Sequence, residues 1–276
     1  MKDCCLATAL VLVASLGACA LTAPPAAETL RADPRRNPAD AQAELDQLAE
    51  AAERAAAAAP DDAAAQVAAS ARLFQAADLR LQRAMVAWLA SHPDASRKQV
   101  FAAEDHVDEV ARQQILSLCT AGVARAERAV TLAPEQVAGV LHQALHLSLI
   151  AWANGPARSL LAGHGPRLVA AIDRAIVLDR DFDHGAPLRL QGRFRSKAPW
   201  PYGDLALAQQ VLARAVELAP IPVNHLFYGD ALAAAGDAER AAVQWRLVEA
   251  AVADESTRWS ADALRELARR RLAAKP

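Results

Sequence analysis

The sequence predicts an all-α protein of stacked antiparallel helical hairpins. Hydrophobic residues make up 54% of the 276, and much of that share is alanine, the best helix former. Only 11 glycines interrupt the chain, and no alternating Val/Ile/Thr run lies between hairpin turns, so strands are not expected. One pattern of helix ending also recurs, with a basic residue, Ala, apolar positions and then a stop.

The N-terminus reads as an export signal over residues 1–18. Lys2 precedes an apolar run, Leu6 to Leu16, too short to span a bilayer and followed by small residues. Its end, Leu16-Gly17-Ala18-Cys19, resembles the bacterial lipobox, in which cleavage leaves an acylated cysteine at the new N-terminus. The expectation is lipidation at Cys19; a conventional signal peptide with an incidental cysteine is the alternative. Ala20, rather than an Asp, after the cysteine is the pattern associated with sorting to the outer membrane of Gram-negative bacteria. Residues 19–36, rich in Pro, Ala and charge, read as a tether. Cleavage would leave Cys119 as the one free thiol, in an apolar helical run that favours a buried, inert role.

Residues 37–276 read as one helical domain. Asn37-Pro38 supplies a cap and a first-turn proline, and Leu45, Leu48 and Ala52 recur on one face up to Pro60. Asp61 or Asp62 caps a longer pattern with Val67, Phe74, Leu81, Met85 and Trp88, interrupted at His92-Pro93. A third pattern runs from about Arg97 to Leu132, with a kink or split expected near Gly122. Further on, Asn224 to Leu232, the turn Ala235-Gly236-Asp237 and the run from Glu239 to Ala251 form a hairpin, with Trp245, Val248 and Val252 on one face. A closing helix, Ser260 to Ala273, carries Arg269, Arg270 and Arg271 at its C-terminal end, where cations suit the helix dipole.

The recurring endings lie before Pro60, Pro134, Arg180 and Pro220, so they are 74, 46 and 40 residues apart. They match the second-helix ending of a tetratricopeptide repeat, but not its period of about 34 residues, so repeats with insertions are expected.

One insertion stands out. Gly192-Arg-Phe-Arg-Ser-Lys-Ala-Pro-Trp-Pro-Tyr-Gly-Asp204 places Trp200 and Tyr202 between prolines where a plain turn would be polar, and Asp204 can cap the next helix. Arg193, Arg195 and Lys197 set three cations beside the rings. Two readings fit: a site for an anionic head group with an apolar tail, or a tryptophan plug beside a solvated charged face.

From Trp152-Ala-Asn154-Gly155 through Ile172-Asp-Arg-Ala-Ile-Val-Leu-Asp179, Gly185-Ala-Pro187-Leu-Arg189-Leu, Gly192-Arg-Phe, Lys197-Ala-Pro199-Trp-Pro201 and Gly203-Asp204 to Asn224-His-Leu and Gly236, the chain resembles the TatT-like T components of TRAP transporters. The resemblance spans roughly residues 120–250, and Ala-Pro-Trp-Pro followed by Gly-Asp is its most specific part. It departs at Arg195, where the family often has an aromatic, and at Leu141-His-Gln-Ala-Leu, which stands in place of an aromatic cluster. The resemblance implies a lipid-anchored tetratricopeptide-like periplasmic protein that partners a solute-binding protein and handles apolar or organic-acid solutes. On it, Trp152, Arg193, Phe194, Lys197, Trp200 and Tyr202 are the candidate ligand-binding residues. A scaffold that assembles other envelope proteins, with no small ligand, is the alternative.

Other chemistry finds less footing. His142 and His146 have the i, i+4 spacing of two zinc ligands, but no Glu stands between them and no third ligand is evident. His106, between Asp105 and Asp108, reads as surface charge. Asp179-Arg-Asp181-Phe-Asp183-His lacks the glycine and glutamate of a calcium loop and reads as a capped inter-helix loop. No nucleophile elbow or phosphate-cradling loop occurs. Neither an enzyme, a cofactor nor a metal is expected. A net charge of −2, with both signs mixed along the chain, offers no face for nucleic acid. A homo-oligomer remains open.

Overall fold

The computed structural model describes residues 38–252 and 258–274. The signal peptide, Cys19, the tether and the Asn37 cap lie outside them. Every regular element among the described residues is helical: α1 (Pro38–Ala58), α2 (Ala63–Ser91), α3 (Arg97–Phe101), α4 (Glu109–Leu132), α5 (Val137–Leu161), α6 (His164–Asp179), α7 (Phe182–Lys197), α8 (Leu205–Leu218), α9 (Pro222–Ala234), α10 (Ala238–Ala250) and α11 (Ala261–Ala273), with a 3₁₀ turn at Ala103–His106.

The caps expected at Asp62 and Asp204 form, and Asp237 of the expected turn caps α10 as well. Asp62 accepts from the Ala64 and Ala65 amides, Asp204 from Leu207 and Asp237 from Arg240, so α2, α8 and α10 start where a carboxylate satisfies orphan N–H groups. Gly236 adopts φ +89° in the turn before Asp237.

Two expectations are corrected. The third pattern does not break at Gly122: it divides earlier, into α3, the 3₁₀ turn and α4, because Ser96 and Asp108 each start a new helix. Gly122 instead permits close packing, since a Cβ there would lie 2.1 Å from the His146 ring of α5. Val252 does not join the buried face of Trp245 and Val248; α10 ends at Ala250 and Val252 is exposed.

Helices adjacent in sequence pack on one another along most of the chain, and α2 also lies against α4 and α5. The last helix then returns to the first hairpin. α11 packs on α2, α3 and α9, Arg258 pairs with Glu44 of α1 at 2.6 Å, and Trp259 packs on the Leu45 cluster. One core cluster joins the C-terminal half of α2, α3 and the 3₁₀ turn to α8–α11, while a second joins α5, α6 and α7. The space left between α2, α5, α7, α9 and α11 is a cavity.

Arg271 stands in the last turn of α11, as expected, and is buried there at 3% exposure in a two-pronged ion pair with Asp230 of α9. The reason is its register: Leu264, Leu267, Ala268 and Arg271 share one face, and that face points into the core.

Candidate functional site

The cavity measures about 350 Å³, within the range of small-molecule sites. Its wall is largely apolar, with Leu45 of α1, Leu79 of α2, Leu145 and Leu149 of α5, and Leu264 and Leu267 of α11. Its polar end is built by α2, α5 and α7, which contribute Asp78, Gln82, His142, Asp183, His184, Arg189 and Arg193.

Asp78 lies on the same stripe of α2 as Phe74, Leu81 and Met85, a position where helical periodicity calls for an apolar residue. It is partly buried and lines the cavity. Burial raises its pKa to about 6, against a hydrogen bond from Gln82 and the positive charges of Arg189 and Arg193. Gln82 Nε2 donates to Oδ2 at 2.6 Å, and among the described residues no cation forms an ion pair with Asp78.

Arg189 is held in place by neutral acceptors. Its Nη1 donates to Asn224 Oδ1 at 3.0 Å and to the His184 carbonyl at 3.4 Å, and Asp183 lies 3.9 Å from Nη2. Burial lowers its pKa, opposed by the charges of Asp183 and Asp78. The backbone beside it is strained: Asp183 and His184 adopt φ of +46° and +59°, and Gly185 follows at +74°. Asn224 Nδ2 secures this bend by donating to the carbonyls of His184, Ala215 and Ala219. The sequence Asp179 to His184 thus runs from the end of α6 into the first residues of α7, where Asp183, His184 and Gly185 depart from helical backbone angles, and it delivers Asp183 and His184 to the cavity.

Arg193 is the member of the expected group that lines this cavity. Its charge is engaged by Asp230 at 3.0 Å and Glu104 at 3.5 Å, and its guanidinium lies over the Phe227 ring. Lys197 donates to Glu104 and to the Phe101 carbonyl, both at 2.6 Å. Burial opposes ionisation of Glu104, but Arg193 and Lys197 outweigh it and hold its pKa at about 2. The third cation, Arg195, donates to the Tyr202 carbonyl at 2.9 Å.

The remaining expected residues lie elsewhere. Trp200 is 90% exposed at the tip of the connection between α7 and α8, next to a cis Trp200–Pro201 peptide. Neither a buried plug nor a cavity wall describes it. Phe194 and Tyr202 touch each other at 6.0 Å, and Tyr202 packs on Gly165 of α6. Trp152 packs between two core clusters with Arg112 over its ring. Gly192 gives a close helix contact: a Cβ there would lie 2.3 Å from Leu212 Cγ of α8.

His142 and His146 do not converge on one point. His146 Nε2 bonds Ser70, whose hydroxyl donates to the Gly122 carbonyl, whereas His142 lines the cavity. Burial lowers both pKa values to about 4, so both rings are neutral at neutral pH. No cluster of three or more metal-ligating side chains occurs among the described residues. His106 is exposed, as read, and stacks on Trp88 at 4.0 Å.

Periodicity could have revealed what the motif search missed. Asp78, Asp230 and Arg271 are charged residues on otherwise apolar helix faces, and such residues are buried only when paired or when they face a cavity.

No family model matches the chain, and no curated protein matches it.

Proposed function

We propose that the protein is a lipid-anchored, periplasm-facing accessory of a TRAP-type solute transport system, a tetratricopeptide-like α-solenoid closed around a cavity that receives a small amphipathic solute. The observation that carries this reading is the cavity itself: an apolar wall meets one polar end whose acid and base are buried but not paired with each other. A fold that only needed stability would fill that space with side chains, since buried unpaired charge is costly. The TatT-like motifs and the lipobox supply the transport setting, with a periplasmic solute-binding protein as the partner. The role is binding and relay, not catalysis.

A protein–protein scaffold is the second reading. Trp200 favours it, as a large exposed ring at a loop tip suits docking to another protein. The two readings separate in one experiment. Protein purified from its own host and analysed by native mass spectrometry should retain a small organic molecule if it handles solutes, and should be empty under several conditions if it is a scaffold.

A further inference from the structure

The polar end of the cavity specifies its ligand more narrowly than an organic acid. Resting on the solute-binding reading above, we propose that the ligand is a zwitterion with an apolar tail, its protonated amine seated on Asp78 and its carboxylate on Arg189.

Most charges around the cavity are already satisfied within the protein. Arg193 and Lys197 share Glu104, and Arg193 and Arg271 share Asp230, so each of these five side chains already has an oppositely charged partner within the protein. Two charges stand apart from that network. Asp78 Oδ1 has no hydrogen bond among the described residues, and Oδ2 has only the Gln82 amide. Arg189 uses Nη1 on neutral acceptors and has only a long ion pair to the exposed Asp183, 3.9 Å from Nη2, while its Nε and Nη2 make no hydrogen bond there. The two are near enough for each charge to act on the other, yet no ion pair joins them. Unmet polar capacity also gathers at this end, where Gln82 Oε1 and His142 Nδ1 are buried without partners.

A carboxylate alone would meet Arg189 but leave Asp78 unpaired beside a second negative charge. An amine alone would meet Asp78 but bring a second positive charge beside Arg189, whose Nε and Nη2 would still lack a hydrogen-bond acceptor and whose one ion pair, to Asp183, is long at 3.9 Å. A ligand bearing both groups on one carbon satisfies each, and its tail can lie along Leu145, Leu149, Leu264 and Leu267.

Three molecules with related five-carbon frameworks test this: L-norleucine, pentylamine and hexanoate, titrated calorimetrically into ligand-stripped protein at about pH 7.5. L-Norleucine should bind at least about tenfold more tightly than either of the others, the gain expected when a hydrogen-bonded charge is matched. Asp78→Asn, checked for folding by circular dichroism, should reduce L-norleucine to the level of hexanoate. In the unmodified protein, L-norleucine should weaken as the pH falls from about 7.5 to about 5 and Asp78 takes up a proton. The same titration on Asp78→Asn removes the contributions of the other groups facing the cavity: His142 on α5, Asp183, His184, Arg189 and Arg193 on α7, and Arg271 on α11. Hexanoate binding as tightly as L-norleucine would overturn the zwitterion while leaving solute binding intact. So would unchanged L-norleucine binding in Asp78→Asn. If none of the three binds, the proposal falls, and a small molecule retained by host-purified protein would still support the broader reading. If hexanoate binds equally to a Ser148→Trp variant with the cavity filled, binding lies outside the cavity and both fail.

Discussion

Arg271 of α11 and Asp230 of α9 form a buried ion pair, each no more than 5% exposed, with Arg271 Nη2 2.9 Å from Asp230 Oδ2. Asp230 also accepts from Arg193 of α7 and from the Trp245 indole of α10, so one carboxylate ties four helices together. Two members of this junction, Arg193 and Arg271, line the cavity, and the junction fixes the last helix against α7, α9 and α10.

Truncating one partner of that pair leaves the other charged and buried. Arg271→Ala should cost about 3–5 kcal/mol, whereas Arg271→Met, which keeps the volume, should cost less only if Asp230→Asn accompanies it. Thermal unfolding of the two single variants and the double variant measures this. For a domain of this size the single-variant loss corresponds to a fall in Tm of roughly 6–20 °C.

Asp78 makes stability depend on pH in an unusual direction. Its pKa is raised from 3.8 to about 6, so its ionised form disfavours the folded state above about pH 6, and that penalty disappears as the pH falls through this range. His142 and His146 act oppositely, because their pKa values are lowered from 6.5 to about 4 and the folded state loses stability as the pH falls through that window. Glu104, held at about 2 against 4.5, contributes stability that is lost only below about pH 4.5. Asp78→Asn should therefore raise Tm at about pH 7.5, by at most about 3 kcal/mol of stability, with a much smaller gain at about pH 4. Differential scanning calorimetry at the two pH values checks the sign.

Trp200 contributes little to stability in this structure. Trp200→Ala should shift unfolding by no more than about 0.5 kcal/mol and leave binding in the central cavity unchanged, because the ring is 90% exposed. A large loss of stability would show that the ring packs as a plug, and a loss of ligand affinity would show that it belongs to the site.

If the proposed lipobox is the anchor, Cys19→Ser, which removes the thiol that would carry the acyl chains, should move the protein from the membrane fraction to the soluble fraction. Fractionation followed by immunoblotting reads the outcome. Retention in the membrane would rule out the lipobox as the anchor.

The helices were legible because their signals are local. Alanine content, Asp62, Asp204 and Asp237 as caps, and the stripes through Leu45 or Trp245 need only a few neighbouring residues to read. The cavity was not legible, because it forms where α2, α5, α7, α9 and α11 meet, and no single segment carries that arrangement. Conspicuous residues drew the eye: Trp200 stood out for its prolines and lies at the surface, while Asp78 stood in ordinary helical sequence and Arg189, inside the run that carries the resemblance, had no aromatic or proline beside it to single it out as a ligand contact. The cations of the 192–204 segment read as free because their partners, Glu104 and Asp230, lie far away in sequence.

The central claim is that the cavity between α2, α5, α7 and α11 holds a small molecule. The most direct measurement compares native mass spectra of the protein and of Ser148→Trp, both purified from the natural host. The account predicts a bound small-molecule mass on the unmodified protein that is absent from the folded, cavity-filled variant. Equal occupancy of both, or an empty unmodified protein across several conditions, would contradict it.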